Sequence, residues 1–159
     1  MPGKTDLSKL NCSLARTLGA VGDWWALLIV RDAFLGLTRF SEFQRSLGVA
    51  RNILSARLDS LAKAKILARE GTSTRPRYVL TEKGRAMLPV LVAMTQWGDT
   101  WQSKGRPPVL LTDASGRPIE LIQVRNDAGS IVTAGTIRFR PGPGASPDTR
   151  KFLKSLPDK

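Results

Sequence analysis

Arg51, Asn52 and Ser55 bring together, within five positions, three side chains that can bond the edges of nucleic-acid bases. Arginine suits guanine, asparagine suits adenine, and serine suits either. Arg39 precedes them, and Arg57, Arg75 and Arg77 follow, where guanidinium groups can hold phosphates or enter a narrow minor groove. Polar residues would equally dress a solvated helix face, and arginines a merely soluble hairpin. Other chemistry has little to draw on. The chain has no histidine, which removes the usual general base and the commonest metal ligand. Its one cysteine, Cys12, and its scattered carboxylates form no cluster with metal-ligand spacing. Gly142-Pro143-Gly144 lacks the lysine and helix that a phosphate-cradling loop requires. The expectation is a protein that is not an enzyme and uses no metal or cofactor.

Charge points the same way. The formal net charge is +12 over 159 residues, an excess that favours a polyanionic partner. Residues 36–85 carry eleven basic side chains against four acidic ones, a net of +7, so more than half the excess falls on one segment. Apolar residues at 42% and charged residues at 24% suit an ordinary globular chain. A single cysteine excludes an intramolecular disulfide and suits a reducing compartment. The start, MPGKTDLSKL, lacks the apolar core of a signal peptide, and no apolar run is long enough to span a bilayer. A cytoplasmic protein without membrane attachment is expected.

The elements that must position the polar cluster are legible around it. Asp23 is a natural N-cap and Gly36 a natural stop for a helix that is apolar nearly all round, with Trp24, Leu27, Leu28, Arg31 and Leu35 at helical spacing. Such a helix is a buried scaffold. A second begins at Ser41 in a Ser41–Gln44 capping box, turns Phe40, Phe43 and Leu47 inward, and ends at Gly48. The next starts near Ala50 and sets Leu54, Leu58 and Leu61 on one stripe, leaving Arg51, Asn52 and Ser55 on the other side. Two short strands, Leu67–Glu70 and Tyr78–Leu80, flank a tip in which Arg75 and Arg77 bracket Pro76. Helix, turn, helix and basic ribbon in that order make the layout of a winged helix-turn-helix.

Beyond it, Thr81 caps a helix expected from Glu82 to Ser103, roughly 33 Å long, with Pro89 as a kink. Met87, Leu91, Met94, Gly98 and Trp101 repeat along it at 4-3-4-3 spacing, a face wide enough to pair with the same helix of a second subunit. Trp24, Trp25, Trp97 and Trp101 suit either a small-molecule effector pocket beside this helix or ordinary core. After the Gly105-Arg106-Pro107-Pro108 boundary, apolar segments at Val109–Leu111, Ile119–Val124 and Ile131–Phe139 alternate with turns at 113–116 and 126–129. They predict three short antiparallel strands, followed by a terminal helix started by Ser146-Pro147.

From Cys12 to Trp101 the chain resembles the HxlR-type winged helix-turn-helix transcriptional regulators, relatives of the MarR type. The resemblance rests on Cys12, on Gly22-Asp23-Trp24-Trp25, on Arg39-Phe40-Ser41-Glu42-Phe43 and on Leu54-Ser55-Ala56-Arg57-Leu58. It ends with the Tyr78-Val79-Leu80-Thr81-Glu82-Lys83-Gly84 run that leaves the wing. It implies a homodimer on an inverted-repeat operator in double-stranded DNA, with recognition helices about 34–36 Å apart. It also implies that Cys12 could sense oxidants or electrophiles as a thiolate; a helix N-terminus or Arg16 would favour that form. A small apolar residue at the dimer contact is the competing role. Cys12-Ser13 stands where the family usually has Cys-Pro, and Gly22-Asp23-Trp24 where Gly-Lys-Trp is commoner.

The sequence therefore predicts an α+β, mainly α chain. Residues 1–104 form a winged helix-turn-helix for DNA binding and dimerisation, and residues 105–159 a small β-rich extension. The function expected is sequence-specific regulation of transcription, as a repressor. The alternative is a ligand- or protein-binding module that uses the winged helix as scaffold.

Overall fold

A computed structural model describes residues 6–157. After a 3-10 turn at Leu7–Lys9, the elements are α1 (Ser13–Val21), α2 (Trp24–Phe34), α3 (Phe40–Leu47) and α4 (Arg51–Lys63). They are followed by β1 (Leu67–Thr72), β2 (Arg75–Leu80), α5 (Glu82–Arg85), α6 (Leu88–Trp101) and α7 (Pro147–Lys154). The chain is mainly helical with one two-stranded antiparallel sheet, the winged helix-turn-helix that the sequence order predicts.

The core belongs to the first eighty residues. Ala26, Ile29 and Val30 of α2 meet Phe43 of α3, Leu54, Leu58 and Leu61 of α4, Leu67 of β1 and Tyr78 of β2. Local chemistry sets the limits of these helices. The Asp23 carboxylate accepts from the Trp25 amide (3.0 Å), and Gly36 takes φ = 91° just past the end of α2. The buried side of α2 differs from the stripe its spacing suggests, for Trp24, Arg31 and Leu35 face solvent. Asp32 on the same helix is fully buried. Its Oδ1 accepts from Arg31 Nε and Nη2 (2.9 and 2.7 Å), while Oδ2 meets no donor among the described residues.

α3 starts one residue before Ser41, and its N-terminal bonds come from a different side chain than the sequence suggests. The Glu42 carboxylate reaches back to accept from the Thr38 and Arg39 amides (both 2.8 Å). These bonds, Thr38 first, with the Arg39 and Arg45 charges behind them, hold its carboxyl below the usual carboxylate range. Gly48, at φ = 62°, ends the helix in the left-handed region. α4 then buries the expected leucine stripe. The hairpin is longer than the apolar residues alone indicate, because Thr72 pairs with Arg75 across a two-residue turn and Leu67 pairs with Leu80 at the base.

The single helix expected from Glu82 to Ser103 is two. Thr81 caps the first as predicted, its Oγ1 accepting from the Gly84 amide (3.1 Å), but α5 ends at Arg85. Pro89 explains the break. A proline inside a helix clashes with the carbonyl four residues back, here that of Arg85, whereas in the first turn of a new helix it is tolerated. The extension also departs from expectation, for residues 105–146 contain no strand longer than a single bridge. Both turns form, with Gly116 at φ = 82° and Gly129 at φ = 78°. Each closes only one bridge, Thr112 with Pro118 and Arg125 with Ile131. A strand gains little without a face to bury, and nearly every side chain of this region is exposed. Ser146 caps α7 as predicted.

Candidate nucleic-acid interface

One face of α4 is locked into the core by Leu54, Leu58 and Leu61, so the opposite face is fixed by helical geometry. Arg51, Asn52, Ser55 and Ala56 occupy it and are exposed. The structure thus brings the three predicted base-contacting side chains onto one open surface of the first two turns. Arg51 is further oriented by α3, since its guanidinium lies 5.2 Å from the centre of the Phe40 ring.

The ribbon lies beside this face. A single antiparallel bridge joins Arg39 to Arg77, and the Tyr78 amide donates to the Thr38 carbonyl (2.7 Å). The loop before α3 is therefore a third, one-residue strand on the sheet, and it places Arg39 and Arg77 side by side. Both are exposed, as is Arg75 next to the turn. Arginines from two segments distant in sequence share one edge.

Arg57 does not join them. Its Nη2 lies 2.7 Å from Asp23 Oδ2, tying α4 to the N-terminus of α2, and its Nε is buried without an acceptor. The ion pair with Asp23 engages one end of this guanidinium. The residue that sequence reasoning missed is Arg69 on β1. It bonds Asp59 of α4 (2.7 Å) and the Tyr78 hydroxyl (3.1 Å), and stacks 5.3 Å from the Tyr78 ring centre. The Tyr78 bond first, with the Asp59 charge, raises its already high pKa, so it is a fixed cation linking the recognition helix to the ribbon. The signal was the cross-strand pairing of Arg69 with Tyr78, visible only once the turn is placed at Ser73-Thr74.

The remaining candidates fall elsewhere. Cys12 is the N-cap residue of α1 and a free, exposed thiol. Nearby Arg16 donates from Nε to the Leu10 carbonyl (3.0 Å). The four tryptophans do not converge in the chain. Trp25 packs at the edge of the core, while Trp24, Trp97 and Trp101 are 74%, 58% and 68% exposed. Two concavities of about 430 and 580 Å³, one against Asp23 and Arg57 and one between residues 134–140 and the end of the chain, contain no tryptophan in their walls. Among the described residues no three potential metal ligands cluster, and no helix is long and apolar enough to cross a membrane.

Comparison with known proteins agrees with this geometry. The model of the HxlR-like helix-turn-helix family matches residues 20–106. The chain is 36% identical over 137 residues to the uncharacterized HTH-type transcriptional regulator Rv3095 of Mycobacterium tuberculosis, covering 83% of this chain and 87% of that one. The crystal structure of PA1607, described as a candidate transcription factor, superposes with a TM-score of 0.80 at 42% identity, covering 87% of this chain and all of that one. The redox regulator HypR in its reduced form superposes with a TM-score of 0.54 at 27% identity, over 58% of this chain and 96% of its own. The first two matches cover more of this chain than its first hundred residues, and the third does not. A winged helix with an open polar face on α4, matched by the family model over more than half its length, belongs to the HxlR-like helix-turn-helix family.

Proposed function

We propose that the chain is a sequence-specific DNA-binding regulator of transcription that acts as a homodimer on an inverted-repeat operator, as a cytoplasmic repressor. The observation that carries this reading is the exposed Arg51, Asn52 and Ser55 face of α4, flanked by the Arg39, Arg75 and Arg77 edge. Asn52 and Ser55 supply donors and acceptors to base edges, and Arg51 the bidentate contact that guanine favours. Arg39, Arg75 and Arg77 neutralise phosphates and fix the register. Residues 1–104 read DNA and dimerise, and residues 105–159 are an appendage to that unit. The exposed thiol of Cys12 is available for an oxidant or electrophile to modify, and modification beside α1 would alter the subunit contact. A small-molecule effector would find its tryptophan-lined site only between subunits, because Trp24, Trp97 and Trp101 are open in each protomer.

Binding to DNA flanking the protein's own gene, set against random DNA over a salt series, tests the proposal. Specific binding should persist at salt concentrations that abolish binding to random DNA. Equal affinity for both would overturn it.

A further inference from the structure

The extension combines two properties that conflict in a lone protomer. Residues 105–157 contain no fully buried side chain, yet fixing each residue's backbone costs about 1–2 kcal/mol of conformational entropy. A disordered tail would be poor in apolar side chains. This segment instead carries Val109, Leu110, Leu121, Val124, Ile131 and Phe139, each more than half exposed.

Two side-chain amides set its course. Gln96 on α6 donates from Nε2 to the Glu120 carbonyl (2.8 Å) and accepts at Oε1 from the Ile122 amide (2.9 Å), as a neighbouring strand would. Asn11 does the same further along. Its Nδ2 donates to the Gly144 carbonyl (3.0 Å), and its Oδ1 accepts from the Ser146 amide and the Thr149 hydroxyl (both 2.8 Å). The extension therefore passes beside α6 and returns to the start of α1. These are the helices with open apolar faces, Leu14 and Leu18 on α1 and Met94, Trp97 and Trp101 on α6.

Summed over its residues, the apolar area left open approaches that of an interface. Trp97, Trp101, Phe139 and Phe152 are 58–73% exposed. With about 150–250 Å² for each fully buried aromatic, these four hold on the order of 500 Å² of coverable area. The aliphatic neighbours bring this toward the ~800 Å² per partner of a stable complex. Monomers seldom expose contiguous apolar patches larger than a few hundred Å². A second copy is the occupant that fits. The part of the repeat left open on α6, Met94, Gly98 and Trp101, keeps the 4-3 spacing of helix pairing, which an identical helix satisfies about a two-fold axis. At Gly98 an added Cβ would meet nothing within 4 Å, so a partner helix can approach there.

We propose that residues 105–157 are a clasping arm. The Gln96 and Asn11 amides steer its backbone on its own protomer, and its apolar side chains cover the partner's α6 face, so that the dimer is incomplete without it. This rests on the homodimer reading above and assigns the extension a place in it.

Sedimentation equilibrium of the full chain tests this with two variants, Leu121→Asp/Val124→Asp in the arm and Trp97→Glu on α6. All three positions are exposed in the protomer, and far-UV circular dichroism with thermal unfolding verifies that each variant folds. The arm variant should weaken self-association more than tenfold, as Trp97→Glu should. If only Trp97→Glu dissociates the dimer, the clasp is overturned and the dimer stands. If the wild-type chain is monomeric at tens of micromolar, both fall. A photoreactive probe on Leu121→Cys, in a Cys12→Ser background, reads the contact directly. Cross-links between two chains support the clasp, and cross-links confined to one chain overturn it.

Discussion

Two arginines of one helix, six positions apart, have different fates, and the difference is local. Arg51 sits on the open turn of α4 over Phe40, while Arg57 is held by Asp23. Arg51→Ala should therefore remove discrimination at one base pair, about 1–3 kcal/mol, in competition binding against operators altered one position at a time. Uniform weakening on every sequence would reassign Arg51 to the phosphate backbone. Arg57→Ala should leave sequence preference intact. It should lower stability by only about 0.5–1 kcal/mol in denaturant unfolding, because both partners of its ion pair are roughly one-third exposed and screened. Cys12 has a comparable test. If the thiol is the sensor, Cys12→Ala should abolish release of DNA by diamide or quinones. Release unchanged in the variant would leave Cys12 as a cap residue alone.

At the scale of elements, what was legible followed from chemistry contained within a few residues. The caps at Asp23, Thr81 and Ser146, the glycine stops and the leucine stripe of α4 all depend on neighbours in sequence, and all formed. The break at Pro89 was misjudged because a proline can either kink a helix or begin another, and the choice depends on what the flanking turns pack against. The strands of the extension were misjudged for a related reason, since alternating apolar residues make a sheet only where a face is buried. The ion pair of Arg57 was not legible because its partner Asp23 is distant in sequence. Two contacts at the starts of helices, one in α5 and one in α3, can be probed. At Gly84 an added Cβ would collide with the Ile66 carbonyl, a backbone atom that cannot swing aside. Gly84→Ala should destabilise the chain by about 1–3 kcal/mol in chemical denaturation, and an unchanged midpoint would show that α5 is free of the turn before β1. Glu42, whose carboxyl is held low by the Thr38 and Arg39 amides, gives a pH signature. Its stabilisation is complete above the unfolded pKa of about 4.3 and is lost as pH falls through the depressed folded value. The melting temperature of wild type should exceed that of Glu42→Gln near pH 6, and the gap should close on acidification. A gap independent of pH would refute the role of the carboxylate.

For the whole molecule, the decisive quantities are charge and symmetry. A net charge of +12 attracts any polyanion, so affinity alone cannot identify a regulator. Arg75→Ala should weaken binding to all sequences and reduce the slope of log affinity against log salt by about one, the signature of a lost phosphate contact. Symmetry distinguishes specific reading from this background. One protomer offers a single short polar face on α4, too little to select a site in a genome. In the proposed homodimer, two faces fixed by paired α6 helices would read two half-sites only where the DNA presents both on the same side, one helical turn of about 10–10.5 base pairs apart. Inserting about five base pairs between the half-sites turns the second away by half a turn and leaves its base contacts unmade. Affinity for such an operator, measured by titration at fixed salt, should fall to that of a lone half-site. An operator that tolerates the insertion without loss would mean that the two α4 faces are not rigidly coupled, and that α6 and the arm do not set their spacing.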